Sequence, residues 1–190
     1  MNAKGWYSKD MNTELADELI KMAHVDQEYR HQWFTKRDDP AFLEGMERMD
    51  NEHAVRLKEI IYTFGWPSKK LVGAEASHAA WLLVQHTDIE LQEQCLELIK
   101  DLPEAENDPR QAAYLTDKVR VRHEQPQIYG TQYVKKGDDL VLYDVQDPKG
   151  LDERRKKLGL PPAGYRYDFE AAERADKEGA AFSSLGGWRS

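Results

Sequence analysis

The sequence predicts a mainly α-helical protein: a single helical domain of about five to six helices with an appended β-hairpin and a C-terminal extension. Three observations lead there. Apolar residues recur at helical spacing through the first two thirds of the chain. Prolines, glycines and capping acids interrupt that pattern where helices must stop and start. After residue 126 the period changes to β-branched and aromatic runs around a turn.

The first helix is predicted over 12–36, with Leu15, Leu19, Met22, Asp26, Tyr29 and Trp33 on one stripe. Asp38, Asp39 and Pro40 end it, since proline cannot continue a helix and restricts the residue before it. A second helix over 41–64 carries Leu43, Met46, Asp50, His53, Leu57, Ile60 and Phe64 on its seam, and Gly65-Trp66-Pro67 stops it. Residues 69–75 read as a connection containing Gly73, followed by helices over 74–87 and 88–101. Asp108 followed by Pro109 is a helix start, a capping carboxylate ahead of a first-turn proline, and this fifth helix runs to about Val119.

Residues 127–134 and 140–145 are predicted strands joined by Lys136-Gly137-Asp138-Asp139, which places the hairpin at about 127–145. Asp147-Pro148 opens a short charged helix that Gly159 closes. The division is thus a 1–11 arm, a 12–160 helical domain and a 161–190 extension. That extension is expected to hold a loose helix over 170–179, with 183–190 either disordered or packed only through Trp188.

Composition narrows the function classes. The 190 residues hold 27 Lys and Arg against 35 Asp and Glu, a net charge of -8, which argues against nucleic-acid binding. No apolar run approaches the length of a membrane helix, and residues 1–10 hold no hydrophobic signal core. One cysteine, Cys95, excludes an internal disulfide and suits a reducing cytoplasm. Its neighbours Leu91, Leu96, Leu98 and Ile99 make it a core thiol.

Polar groups on apolar stripes are the informative anomaly. Asp26 sits seven residues from both Leu19 and Trp33, and Arg30 is its i+4 neighbour. Asp50 and His53 interrupt the second seam. Burial of such groups costs several kcal/mol unless each is paired, so either they form inert structural networks or they wall a polar pocket. In the third helix His78, Leu82, Gln85 and His86 share a face, with the histidines about 12 Å apart along the axis. Both are expected to border one elongated cleft, close to Tyr129 or Gln132.

The densest chemistry lies between 114 and 132. Asp117 ends the fifth helix, and Gln127, Tyr129 and Thr131 would share one face of a strand, with Gln132 on the other. Arg120 and Arg122 bring positive charge to an acidic chain. The alternative is an exposed hairpin whose basic residues only balance local charge. Asp50-x-x-His53 and Glu75-x-x-His78 also have the carboxylate-x-x-histidine spacing of di-metal bundles, with Asp26 as a third ligand. There is no P-loop, dinucleotide fingerprint, nucleophile elbow or H-E-x-x-H helix.

Gly65-Trp66-Pro67, the run Ser77-His78-Ala79-Ala80-Trp81-Leu82-Leu83-Val84-Gln85-His86, Tyr114-Leu115-Thr116-Asp117 and Tyr129-Gly130-Thr131-Gln132 together resemble a bacterial family catalogued as domain of unknown function 6624. The resemblance spans roughly 15–160 and implies a bacterial source but no activity. Lys118 stands where the family pattern has arginine, which weakens a bidentate anion role there.

Three functions are expected in descending order. The first is a cytoplasmic enzyme using acid–base or electrostatic catalysis on a small polar or peptide-like substrate, without a cofactor. His78 or His86 would move the proton and Asp117 or Asp26 would orient it. Tyr129 would join the catalytic set, and Gln85, Gln127, Thr131, Gln132, Arg30, Arg120 and Arg122 would surround the substrate. The second is a non-catalytic binding, immunity-like or regulatory protein. The third is a metal-dependent oxygenase or hydrolase holding a divalent ion on Asp26, Asp50, His53, Glu75 and His78.

Overall fold

In the computed structural model, residues 11–136 and 139–163 are described. Glycine 137 and aspartate 138 of the expected turn, most of the N-terminal arm, the expected 170–179 helix and Trp188 lie outside them. The order is α1 (Thr13–Lys36), α2 (Pro40–Phe64), α3 (Lys69–Val84), α4 (Ile89–Lys100), α5 (Pro109–Arg122), β1 (Tyr133–Lys136), β2 (Asp139–Leu142) and α6 (Leu151–Lys157). The protein is mainly helical, with one small antiparallel hairpin among the described residues.

Caps set most of the helix starts. Asn12, Asp39, Asp88 and Asp108 accept from backbone N–H groups one turn in, and Pro40 and Pro109 occupy first-turn positions where a missing N–H costs nothing. Gly65 ends α2 with φ 74°, a left-handed conformation that costs a residue without a Cβ least. Gly73, expected in a connection, instead sits inside α3 with φ 83° and ψ 166°, so a first turn at 69–72 is kinked against the helix that follows.

α3 is buried almost all round, from Ala79 to Val84 without a break, which makes it the central helix. α1 packs chiefly on it, and α4 packs on α5. Leu19, Leu57, Ile60, Trp81, Leu83, Leu91, Ile99 and Leu115 form the fully buried core, with the Cys95 thiol pushed up to about 12 by burial. The apolar stripes overreach this core: Trp33, Leu43 and Phe64, expected on seams, are exposed near helix ends.

The hairpin is shorter than its pattern. Tyr133 pairs with Leu142 and Lys136 with Asp139, while 127–132 forms a loop rather than the first half of a strand. Only Gln127 keeps a bridge, to Val145. The backbone donors of this loop are taken by a buried side chain, described below, and Gly130 turns it with φ 63°. α5 runs three residues past Val119, ending where Glu124 takes φ 57° and the Gln125 N–H donates to the Arg120 carbonyl.

By internal contacts the chain divides into two units, Met1–Gln146 and Asp147–Ser190. In the second, Arg154 bonds the Asp147 side chain, Arg155 Nε donates to the Pro161 carbonyl, and Gly159 closes α6 with φ 68°. No helix among the described residues is long and apolar enough to cross a membrane.

Candidate functional site

Four helices of the first unit bring ionisable side chains to one place. α1 supplies Asp26 and Arg30, one turn apart. α2 supplies Asp50 and His53, α5 supplies Lys118, and His86 stands just past the end of α3. Asp26 is 1% exposed, as its stripe position requires. Its Oδ1 accepts from Arg30 Nη2 at 3.1 Å and from His86 Nδ1 at 3.0 Å, and its Oδ2 accepts from Gln27 Nε2 at 2.8 Å. Arg30 Nη2 also donates to Asp50 Oδ1, so one guanidinium ties the two carboxylates and the first two helices together.

The electrostatics follow from burial and these partners. Burial works against charge on Asp26, but His86, Arg30 and Gln27 outweigh it and hold the carboxyl below its usual range. At Asp50 burial wins over Arg30, and the carboxyl is pushed up. Burial pushes both His86 and His53 down, in spite of Asp26 near each. Near neutral pH the central pair is therefore an ionised Asp26 and a neutral His86. A carboxylate only accepts, so His86 Nδ1 must carry the proton, and Nε2 is left with its lone pair. The imidazole is 16% exposed, and Nε2 has no hydrogen-bond partner among the described residues.

The turn that presents His86 is held from beneath. Gln92, fully buried on α4, donates from Nε2 to the carbonyls of Val84, Gln85 and Thr87, each at 3.2 Å. Thr87 Oγ1 adds a bond to the Val84 carbonyl at 3.0 Å. Gln85 itself is buried, and its Nε2 has no acceptor among the described residues.

Asp117 does different work. It is 0% exposed, and its carboxylate accepts from the backbone N–H groups of Ile128, Tyr129 and Thr131 and from the Thr131 hydroxyl, at 2.7–3.1 Å. Gln127, equally buried, donates to the carbonyls of Gln132 and Tyr143 and accepts from the Gln132 N–H. The expected strand face of Gln127, Tyr129 and Thr131 is thus replaced by a loop wrapped on Asp117. Gln127 and Thr131 spend their polar atoms inside that loop, and Gln132 Nε2 donates to Thr131 Oγ1.

His78 on α3 and His86 just past its end keep separate company. His78 stacks on Trp81 with centroids 5.7 Å apart, and its Nδ1 meets Gln111 Nε2 at 3.3 Å. Burial, helped by Arg110, lowers it against the pull of Asp108. Trp81 in turn donates to the Gln111 carbonyl and meets Tyr114 edge-on. Arg120 donates to the Pro126 carbonyl and to Gln146, bracing the loop, while Arg122 is exposed and Glu75 is exposed.

For a metal, the structure regroups the expected ligands. Ligand atoms of Asp26, Asp50 and His86 lie within 4.8 Å of one another, with His86 in the place the sequence reserved for His53, Glu75 and His78. Those atoms are not idle, since Arg30 donates to both carboxylates and His86 Nδ1 to one of them. A cation bound there would have to displace the guanidinium.

Lys118 is the member that residue spacing did not single out as a site residue. It is half-buried, and no ion pair or hydrogen bond involves it among the described residues. Burial, then Arg122 and Arg30, push its amine down to about 8 against Asp26 and Asp50. The available signal was its place one residue after Asp117, on the face of α5 that also carries Tyr114 and Arg122.

Comparison with known proteins adds a family and little else. Residues 13–172 match the family of unknown function DUF6624. No curated protein and no solved structure matches.

Proposed function

The chain belongs to the DUF6624 family, and we propose that it is a cytoplasmic bacterial enzyme that uses His86 as a general base on a small polar substrate. One observation carries this reading: His86 Nδ1 is tied to the buried carboxylate of Asp26, while Nε2 keeps its lone pair and has no hydrogen-bond partner among the described residues. A substrate O–H, N–H or water hands its proton to Nε2. The imidazolium that forms is neutralised by Asp26, and the proton returns to the leaving group or product. Asp26 thereby fixes the tautomer and stabilises the charged state, the division of labour that makes a buried acid–imidazole pair effective. Arg30 keeps Asp26 ionised, and Gln92 holds the turn in register.

The experiment is a turnover screen over small esters, amides, carboxylates and phosphate monoesters, followed by a comparison of the wild type with His86→Gln. The dyad reading expects kcat to fall by a factor of about 10² to 10⁴ with the fold intact. It also expects the ascending limb of kcat/KM against pH to sit below 6.5, because the base must be unprotonated and burial lowers His86. A His86→Gln protein with wild-type turnover sinks the reading. It would favour a binding protein instead, for which the exposed Val55 and Tyr62 on the outer face of α2 are the contact candidates.

A further inference from the structure

A single nitrogen holds the middle of the cluster. Arg30 Nη2 donates to Asp26 Oδ1 at 3.1 Å and also to Asp50 Oδ1, so both carboxylates meet their cation through one atom. Arginine ordinarily grips a carboxylate with two nitrogens of its fork. Neither aspartate is held that way here, and Arg30 Nε is buried with no acceptor among the described residues. The guanidinium thus fills a place whose geometry suits a point charge better.

His86 completes the surround. Its Nδ1 lies 3.0 Å from the same Asp26 oxygen, and ligand atoms of Asp26, Asp50 and His86 all fall within 4.8 Å of one another. Around a zinc ion with bonds of about 2.0–2.2 Å, neighbouring ligand atoms stand about 3–3.5 Å apart. Asp26 and His86 already have that spacing, and Asp50 has less than about 2 Å to close. The side chains of Arg30 and Asp50 are 23% and 22% exposed, which gives the guanidinium a way out to water and an ion a way in.

We propose that Asp26, Asp50 and His86 bind a divalent transition-metal ion, zinc being the representative case, in the position that Arg30 Nη2 occupies. Two carboxylates and a neutral imidazole cancel the charge of such an ion. With Arg30 still in place one positive charge is left over in a partly buried setting, so the guanidinium leaves. An imidazole among the donors selects zinc and its neighbours over magnesium and calcium, which prefer oxygen alone. Coordination through Nδ1 moves the imidazole proton to Nε2, so the ring stays neutral and its free lone pair disappears. The site goes beyond the acid–base reading and rests on it for one consequence only: bound metal leaves His86 in the wrong tautomer for a base and stops turnover.

The test titrates the chelator-treated full chain with Zn²⁺ against a chromophoric chelator, with Mg²⁺ as the contrasting ion. The wild type should bind one zinc ion at least about tenfold more tightly than magnesium. Asp50→Asn and His86→Gln each remove a ligand and should weaken zinc by about 100-fold or more. His123→Gln, which removes the exposed His123–Glu93 pair, should change nothing. Arg30→Met removes the competing cation and should tighten zinc about tenfold, with a larger zinc-induced rise in Tm. The proposal is overturned by a wild type that binds no zinc, by equal affinity for magnesium, or by an affinity that Arg30→Met leaves unchanged. Binding that either ligand variant leaves unchanged marks an adventitious ion only, and overturns it as well. Nitrogen NMR of the wild type needs no variant: zinc should move the His86 proton from Nδ1 to Nε2, and a proton that stays on Nδ1 refutes the site. Turnover separates the two readings. Zinc bound at these residues with turnover unchanged leaves the metal site and removes the dyad, whereas His86-dependent turnover without zinc binding does the reverse.

Discussion

His86 Nδ1 and Asp26 Oδ1 lie 3.0 Å apart, which joins the turn after α3 to the middle of α1 across sixty residues of sequence. The same oxygen takes a bond from Arg30, so one buried carboxylate compensates two cation-capable groups. Replacing Asp26 by Asn keeps the shape and deletes the charge, leaving Arg30 with Asp50 alone. Removing one partner from such a buried network costs about 3 kcal/mol, or about 6–12 °C in Tm for a chain of this size. Thermal unfolding of Asp26→Asn checks it, and a shift under about 1 °C contradicts the assignment of Asp26 as the centre of the network.

The pH dependence of stability has a definite sign. His53, His78 and His86 all have folded values below 6.5, so the unfolded chain binds protons more readily. Their contribution is complete above pH 6.5 and is lost as pH falls through the lowered values. The carboxyls of Asp26, Asp88 and Asp108 are lowered too, and their contribution goes only below about pH 4. Asp50 is raised and acts oppositely, stabilising at low pH and losing that as pH rises through its folded value. Urea unfolding should give a lower midpoint at pH 5 than at pH 7.5, and His86→Gln should reduce that difference. Equal midpoints would show the histidines to be exposed to protons in the folded state.

Lys118→Met should raise Tm at pH 7. The folded value near 8 lies below the ordinary 10.5, so this group's stabilising contribution is complete only above pH 10.5 and is lost as pH falls to 8. At neutral pH the native state bears a desolvated ammonium, and methionine removes it while filling the same volume. The variant should also lack the rise in stability that the wild type shows between pH 8 and 10.5. Stability surrendered at a charged group is a common mark of function, and a destabilised Lys118→Met would assign the lysine to the scaffold instead.

The helical part of the fold was legible because its signals are local. Asp39-Pro40 and Asp108-Pro109 announce helix starts through backbone donors a few residues away, and the Leu19 and Leu57 stripes need only the 3.6-residue period. Asp26 stood out by the same logic, as a charge on an apolar stripe. The loop at 127–132 was misread because its β-like composition is real, but its N–H groups are claimed by Asp117, a residue of another element. Pairing of that kind leaves no periodic trace. The same holds for His86: spacing on α3 groups it with His78, whereas the tertiary fold sends one to Asp26 and the other to Gln111. Lys118 stood out in sequence only as a lysine where the family pattern has arginine; its lack of a partner leaves no trace there, because an unpaired lysine looks like any solvent-facing one.

Asp117→Ala should unravel the loop before it unfolds the domain. Three backbone N–H groups and one hydroxyl lose their acceptor at once, at a site with no access to water on the Asp117 side. Each unsatisfied buried donor costs about 1–3 kcal/mol, so the total should exceed about 3 kcal/mol unless the loop opens to solvent. Hydrogen exchange is the deciding measurement. The amides of Ile128, Tyr129 and Thr131 should lose protection at least as much as the global loss in stability, while those of α3 follow the global value only. Retained protection at these amides would mean that the loop holds itself.

On the acid–base reading, Gln92→Leu should damage catalysis more than packing. Leucine has nearly the same volume, and α4 supplies an apolar setting in Leu91, Cys95 and Leu96. What disappears is the single amide that donates to the carbonyls of Val84, Gln85 and Thr87 and so sets the turn carrying His86. The Val84 carbonyl keeps its bond from Thr87 Oγ1, but those of Gln85 and Thr87 lose the Gln92 donor and turn outward or stay unsatisfied, and in both cases the imidazole drifts from Asp26. A drift of the order of 1 Å in a reacting group is enough to cost about 10² in rate. Because a merely structural glutamine would also lower Tm, the discriminating readout is the His86 Nδ1 proton observed by NMR together with the pH profile. In the wild type that proton should be downfield and slow to exchange, held by the carboxylate. In Gln92→Leu it should move upfield and exchange faster, and the ascending limb of kcat/KM should shift, with KM changed less than kcat. A variant that loses stability but keeps the proton signal and the profile would make Gln92 a packing residue and leave His86 positioned by Asp26 alone.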